Sequence, residues 1–353
     1  MDMLSQGVAP LLQTVQGDPG AIMGPISHFF GHIINFIYTG LVNISPVNAL
    51  GFSIIIMTFI IRGALVPSQI KMQKNSAKTR AIKPELDKIR EKYGNTRDPE
   101  LLRKMRMEQQ ALNQKHGINM VASCLPLLIT MPIFIALFGV FGRAFLFIPS
   151  INEAYSALSQ ALIDLGPDFR IEVLTPIYQS LDLQNNATIN GVALTETSLY
   201  YVPLINRFIN AFTEYDWNTV FYAIESGYAS HYDAVRYLYN NVMTAETFFG
   251  LNLVTSSGWA WPGIIIPILS VGTMVLSSWQ TSKLNPATDP QTKMMQRITM
   301  TVLPLMFGWF TVGAASAVGL YWVAGNVFLI VQNLIVLKFF PHKIGLGEKP
   351  AKA

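Results

Sequence analysis

Apolar residues gather in five stretches, 50–68, 119–148, 259–280, 298–316 and 317–340. Each approaches or exceeds the ~17–25 residues that a helix needs to cross the hydrocarbon of a bilayer. The second is long enough to require tilt or extension beyond the bilayer. Pro126, Pro132, Pro267 and Pro304 fall inside these stretches and predict local kinks. Trp259, Trp261 and Trp279 bracket the third, where interfacial aromatics are expected. The pattern predicts an all-α membrane protein built as a five-helix bundle.

Between the first two stretches the pattern changes to that of a helical hairpin. In residues 69–118, Ile82, Leu86, Ile89 and Tyr93 recur at coiled-coil-like spacing. Gly94 breaks the first arm. Asp98-Pro99 opens the second as N-cap and first helical residue, Leu101, Met105 and Leu112 supply its facing stripe, and Gly117 ends it. Within the first segment, 1–49, Ile26–Val42 places Phe29, Ile33, Phe36 and Ile37 at helical spacing in a short apolar run, which predicts an amphipathic helix lying in the interface. His28 and His32 stand one turn apart there. With no third ligand nearby in sequence, no metal site is expected.

Composition agrees with the pattern. The chain is 51% apolar and 13% charged, against about 25% charged in ordinary domains. The single cysteine, Cys124, excludes an intramolecular disulfide framework and reads as a small core residue. Residues 1–49 contain no Lys or Arg, so the basic start of a cleavable signal peptide is missing.

Charge then orients the spans. The hairpin segment 69–118 holds thirteen Lys and Arg against six Asp and Glu. The loop 281–297 carries Lys283, Lys293 and Arg297 against Asp289, and the tail 341–353 continues the excess from Lys338 with Lys343, Lys349 and Lys352 against Glu348. The segment 149–258 is the reverse, with Arg170, Arg207 and Arg236 against eleven acidic residues. The positive-inside rule makes the first three cytoplasmic and the last extracytoplasmic, with the N-terminus outside. A basic hairpin beside a membrane suits anionic lipid headgroups or the acidic surface of a ribosome or nascent chain. The acidic insertion is rich in aromatics, and Tyr200–Asn240 is expected to be helical within a small folded cap. Asn186-Ala-Thr188 matches a glycosylation triplet, which means little without a secretory-pathway context.

Arg62, inside the first apolar stretch, changes the picture most. An arginine in a span costs roughly 2.5–3.5 kcal/mol on insertion scales, and no Asp or Glu occurs in the other spans. Its charge is therefore expected to face water or a transient partner. Thr58 lies one turn earlier on the same face, and Thr130, Ser270, Thr273, Ser277, Thr311 and Asn326 supply polar groups in the other spans. Singly, such residues usually bond their own backbone or a neighbouring helix. Together with Arg62 they predict a hydrophilic groove facing the bundle interior. No phosphate-binding glycine loop and no catalytic triad is present, so neither an enzyme nor a cofactor is expected.

Gly51-Phe-Ser-Ile-Ile-Ile-Met-Thr-Phe-Ile-Ile-Arg62-Gly, the basic hairpin, Cys124-Leu-Pro-Leu-Leu-Ile-Thr-Met-Pro-Ile-Phe134, Asn285-Pro-Ala-Thr-Asp-Pro290 and Gly319-Leu-Tyr-Trp-Val-Ala-Gly-Asn326 follow one another in an order that resembles the YidC, oxidase-assembly and Albino family of membrane protein insertases. The resemblance implies a bacterial plasma-membrane protein that inserts small membrane proteins and helps others fold, alone or beside the Sec translocon. It implies that Arg62 attracts the acidic tail of an incoming substrate from a groove open to cytoplasm and lipid. Thr58 and Trp322 would line the path of the substrate helix, and Thr130 and Phe134 would serve on the second span. The family often carries Gln at the first of these places and Tyr at that of Trp322. Implied partners are nascent membrane proteins, the translocon, the ribosome, the signal-recognition-particle receptor and lipids. The alternatives are an assembly scaffold without insertase activity and an anion transporter; the latter would leave the hairpin unexplained, and no internal repeat is seen.

Overall fold

The structure, a computed structural model, describes residues 23–94, 98–118, 121–180, 202–284 and 290–339, with side chains of the second apolar stretch from Thr130 onward. The first 22 residues, the triplet at Asn186, the loop 285–289 and the tail beyond 339 lie outside the described residues, as do Tyr200 and Tyr201 and the side chains of Cys124 and Pro126. The described chain is almost wholly helical and divides into two compact units. One comprises the described residues within 1–57, 133–266 and 311–321; the other comprises those within 58–132, 267–310 and 322–353.

In the first unit, α1 (Met23–Val42) buries Phe30, Ile34 and Tyr38, spaced one turn apart, and leaves Phe29 and Phe36 exposed. The packed stripe is thus offset from the predicted set Phe29, Ile33, Phe36 and Ile37, which stays exposed or half-buried. Gly31 matters here because a Cβ would fall 2.3 Å from the Phe147 ring. α2 (Ala49–Ala81) begins in this unit, burying Leu50 and Ile54, and continues into the second. Its 33 residues rise about 50 Å at 1.5 Å each, well beyond a ~30 Å hydrocarbon layer. The apolar run ends near Val66, yet the helix goes on through Pro67 into a polar segment with Gln69, Lys71, Met72, Gln73 and Lys74, residues of good helical propensity.

α3 (Lys83–Tyr93) and α4 (Pro99–Lys115) form the basic hairpin of the second unit. The Asp98 carboxylate accepts from the Glu100 N–H at 2.9 Å, and Pro99 occupies the first turn. Lys92 Nζ donates to Glu108 across the arms at 2.5 Å. The seam is thin: Leu86, Ile89, Tyr93, Met105 and Leu112 are half-buried, and neither helix has a buried residue.

α5 (Val121–Phe141) leads, through the turn Ala144–Phe147, into α6 (Pro149–Asp164), which buries Ile151, Tyr155, Leu158 and Leu162. α7 (Val202–Asn210), α8 (Glu214–Gly227) and α9 (Tyr232–Glu246) complete the acidic insertion. α8 starts from a capping box between Thr213 and Asp216. Phe212, Trp217 and Tyr239 stack edge on or tilted, and the Arg236 guanidinium lies 4.6 Å over the Phe221 ring. The Glu246 carboxyl is buried and accepts from the Tyr155 hydroxyl at 2.6 Å. Burial pushes it up to about 7 despite that bond, and burial first, then Glu246, pushes the Tyr155 phenol up.

A two-residue hairpin follows, β1 (Thr247–Phe248) with β2 (Leu251–Asn252), antiparallel, pairing Thr247 with Asn252. α10 (Ile265–Leu284) begins six residues after Trp259, because Pro262-Gly263 interrupts the approach. α11 (Pro290–Arg297) passes through a π-helical turn, Ile298–Val302, into α12 (Leu303–Gly313). Pro304 has no N–H to return to the turn before it, and the wider turn accommodates that loss. α13 (Ser316–Phe339) closes the chain. Among the described residues, Ala49–Thr79 and Ser316–Ile335 are long and apolar enough to cross a membrane, and Thr130–Phe141 is a shorter apolar helix.

Candidate functional site

The second unit holds Arg62 together with a run of polar side chains on its apolar helices. The Arg62 side chain leaves α2 one turn after Thr58, which is fully buried. It reaches α13 at Gly325, where a Cβ would fall 2.6 Å from Nη2, 3.0 Å from Nε and 3.1 Å from Cζ. The guanidinium therefore lies against bare helix backbone, in space that a side chain at 325 would contest. Asn326, the next residue, is buried and donates through Nδ2 to Thr273 Oγ1 on α10 at 3.4 Å. Thr273 in turn donates to the Leu269 carbonyl at 2.7 Å. One turn before Thr273, the Ser270 hydroxyl is buried with no hydrogen-bond partner among the described residues.

Ser270, Thr273, Ser277 and Thr281 recur at intervals of three and four along α10, so their hydroxyls share one face. α13 answers two turns after Asn326 with Asn333, which donates to Thr281 Oγ1 at 3.3 Å. Farther along the same unit, Ser277, Ser278, Thr281, Gln296 and Thr299 line a cleft of about 420 Å³. The Trp322 indole stacks on Phe307 of α12, centroids 4.2 Å apart and planes 24° from parallel. At Gly308 a Cβ would lie 2.4 Å from Val271 Cγ2, which measures how closely α12 approaches α10.

Arg62, Thr58, Ser270, Thr273, Asn326 and Trp322 thus belong to one unit. Thr130, half-buried on α5, belongs to it too. Phe134, one turn on, falls in the other unit, its ring 6.4 Å from those of Phe138 and Tyr321. Thr311 also falls there and is buried. Sequence reasoning missed Gly325, Thr281 and Asn333. For Thr281 and Asn333 the signal was present, as the continuation of helical spacing from Ser277 and Asn326. Among the described residues no group of three metal-ligating side chains occurs. What the arrangement offers is one cation and a run of neutral donors and acceptors between apolar helices.

The pattern of the family described as 60Kd inner membrane protein matches residues 42–224 and 217–343, most of the chain. A membrane protein insertase YidC of Oceanobacillus iheyensis is 24% identical over 82% of this chain and 74% of its own length. Membrane protein insertase YidC 1 of Bacillus anthracis is 37% identical over 33% of this chain and 45% of its own. Membrane protein insertase MisCA of Bacillus subtilis is 35% identical over 40% and 53% respectively. The chain spans about half the length of the Bacillus relatives in these matches. With helices able to span a bilayer and a matching pattern over 42–343, the chain belongs to the 60Kd inner membrane protein family, that of the YidC insertases.

Proposed function

We propose that the protein inserts integral membrane proteins into the bacterial plasma membrane and assists their folding, without a bond-making or bond-breaking step. The observation that carries this reading is the Arg62 guanidinium lying on Gly325 beside the Asn326–Thr273 pair, a cationic and hydrogen-bonding strip between apolar helices. Such a strip, wetted, shortens the apolar distance that a polar tail must cross. Arg62 offers the tail's carboxylates an opposite charge, worth more in a partly desolvated setting than in water. The tail then leaves, and burial of the substrate's apolar helix in lipid draws the process forward.

In this reading Thr58, Ser270, Thr273 and Asn326 keep the groove hydrophilic, and Trp322, Thr130 and Phe134 offer sliding surface to the substrate helix. The basic hairpin and the 281–297 loop face the cytoplasm and meet the ribosome, the signal-recognition-particle receptor, the Sec translocon or anionic lipid. The acidic insertion and the N-terminus lie outside. Photo-crosslinking tests the path. A photoreactive residue at Trp322 or Thr273 is expected to capture a ribosome-stalled single-span substrate. One at Trp309, on α12 and 72% exposed, is expected to capture lipid. Equal capture of the substrate from all three positions would remove the groove from the account.

A further inference from the structure

Among the described residues, Asn48 and Phe249 are the non-glycine residues with positive φ, at 64° and 48°, and they touch. The Phe249 N–H donates to Asn48 Oδ1 at 2.6 Å. Phe249 and Gly250, φ 82°, form the two-residue loop between β1 and β2. A loop with both φ values positive favours Asn-Gly, and a bulky residue in its first place is strained. The neighbouring Phe248 explains its own place, since its ring fills the space over Gly51, where a Cβ would fall 2.0 Å away, and meets Phe52 edge on. Phe249 fills no such space: its ring meets Phe248 and Phe52 edge on, at 4.7 and 6.2 Å between centroids, yet the residue is 71% exposed, so the strained turn holds an aromatic outward.

Its surroundings say what covers it. Ile44, 84% exposed, and Val47 stand in the loop that carries Asn48, and Phe52 is partly exposed one turn into α2. Residues 19–61 and 247–282 contain no Asp, Glu, Lys or Arg. The exposed Tyr215, Tyr222 and Tyr237 of the same unit differ, because they carry hydroxyls and are interleaved with Glu214, Asp216, Glu225 and Asp233. The apolar, uncharged surface at Phe249 is continuous with the first turns of α2, which is long and apolar enough to span.

We propose that the Phe249 turn, with Ile44 and Val47, is a membrane anchor that inserts into the boundary between lipid headgroups and acyl chains at the N-terminal end of α2. Apolar rings at that depth gain burial without needing a polar partner. Asn48 braces the turn so that the ring enters the bilayer at a fixed height on the helix. The proposal stands apart from any role of Arg62.

Spin labelling of the full chain in liposomes of phosphatidylethanolamine and phosphatidylglycerol tests it. In a Cys124→Ser background, a nitroxide at Phe249→Cys is expected to collide with oxygen and to lose collisions with a water-soluble nickel chelate, relative to a label at Tyr222→Cys. Equal nickel accessibility at the two positions would overturn the proposal. Dipolar broadening at 249, the sign of a second copy on this surface, would overturn it as well. Should Phe249→Cys fail to fold, Val47→Cys carries the same comparison.

Discussion

A methyl group added at Gly325 would press on the Arg62 guanidinium from 2.6 Å. The far end of an arginine yields to a methyl but not to a larger side chain. Gly325→Ala is therefore expected to keep the fold, with the helical preference for alanine over glycine, about 1 kcal/mol, in its favour. Gly325→Leu is expected to drive the guanidinium from its seat and to slow insertion of substrates with acidic tails roughly tenfold, the equivalent of about 1.4 kcal/mol. Initial rates for the two variants check this, and a Gly325→Leu protein that is folded and fully active would contradict it. Arg62 was legible in the sequence because a charge inside an apolar run has few benign explanations. Gly325 was not, because a helical glycine carries no periodic signal until the residue facing it is known.

At the scale of elements, α10 and α12 owe their close approach to Gly308, and α10 and α13 share the Asn326–Thr273 and Asn333–Thr281 bonds. Hydrogen bonds between membrane helices average about 0.6 kcal/mol, whereas forcing extra volume into a packed contact costs about 1–3 kcal/mol. Gly308→Val is thus expected to lower the thermal unfolding midpoint more than Asn333→Leu, and the reverse order would show that polar pairing dominates. The α3–α4 hairpin was legible because caps and breakers mark it: Asp98, Pro99, Gly94 and Gly117. The length of α2 was less so, since hydropathy ends at Val66 and Pro67 follows as a stop signal, yet the helix runs on through the proline to Ala81. The β1–β2 hairpin escaped notice because Phe249-Gly250 lacks the Asn-Gly signature of its turn.

The whole molecule joins a unit rich in buried aromatics to one that holds the cationic strip. The first unit also carries a titratable core group. Glu246 has its pKa raised from 4.5 to about 7, chiefly by burial, so the folded protein holds it neutral where the unfolded chain has already ionised it. The contribution of Glu246 to stability is fully present below pH 4.5 and is lost as pH rises to about 7, on the order of 3 kcal/mol over that window. The unfolding midpoint, followed by near-ultraviolet circular dichroism, is expected to fall between those limits. Glu246→Gln, neutral throughout and still able to accept from Tyr155, is expected to flatten the curve; an unchanged slope would assign it to other groups. Sequence could not reveal this carboxyl, one of eleven acidic residues in 149–258, because its burial depends on helices far apart in the chain.

The central claim is that the charge of Arg62 draws a substrate's tail into the bilayer. Its most direct test is reconstitution of the full chain in liposomes, with a single-span substrate bearing an acidic N-terminal tail made by cell-free synthesis. Protease protection of the tail reports its transfer. Protection is expected to require the protein, to survive Arg62→Lys in large part and to collapse with Arg62→Glu. Equal protection by the two variants, each shown to be folded, would contradict the electrostatic account.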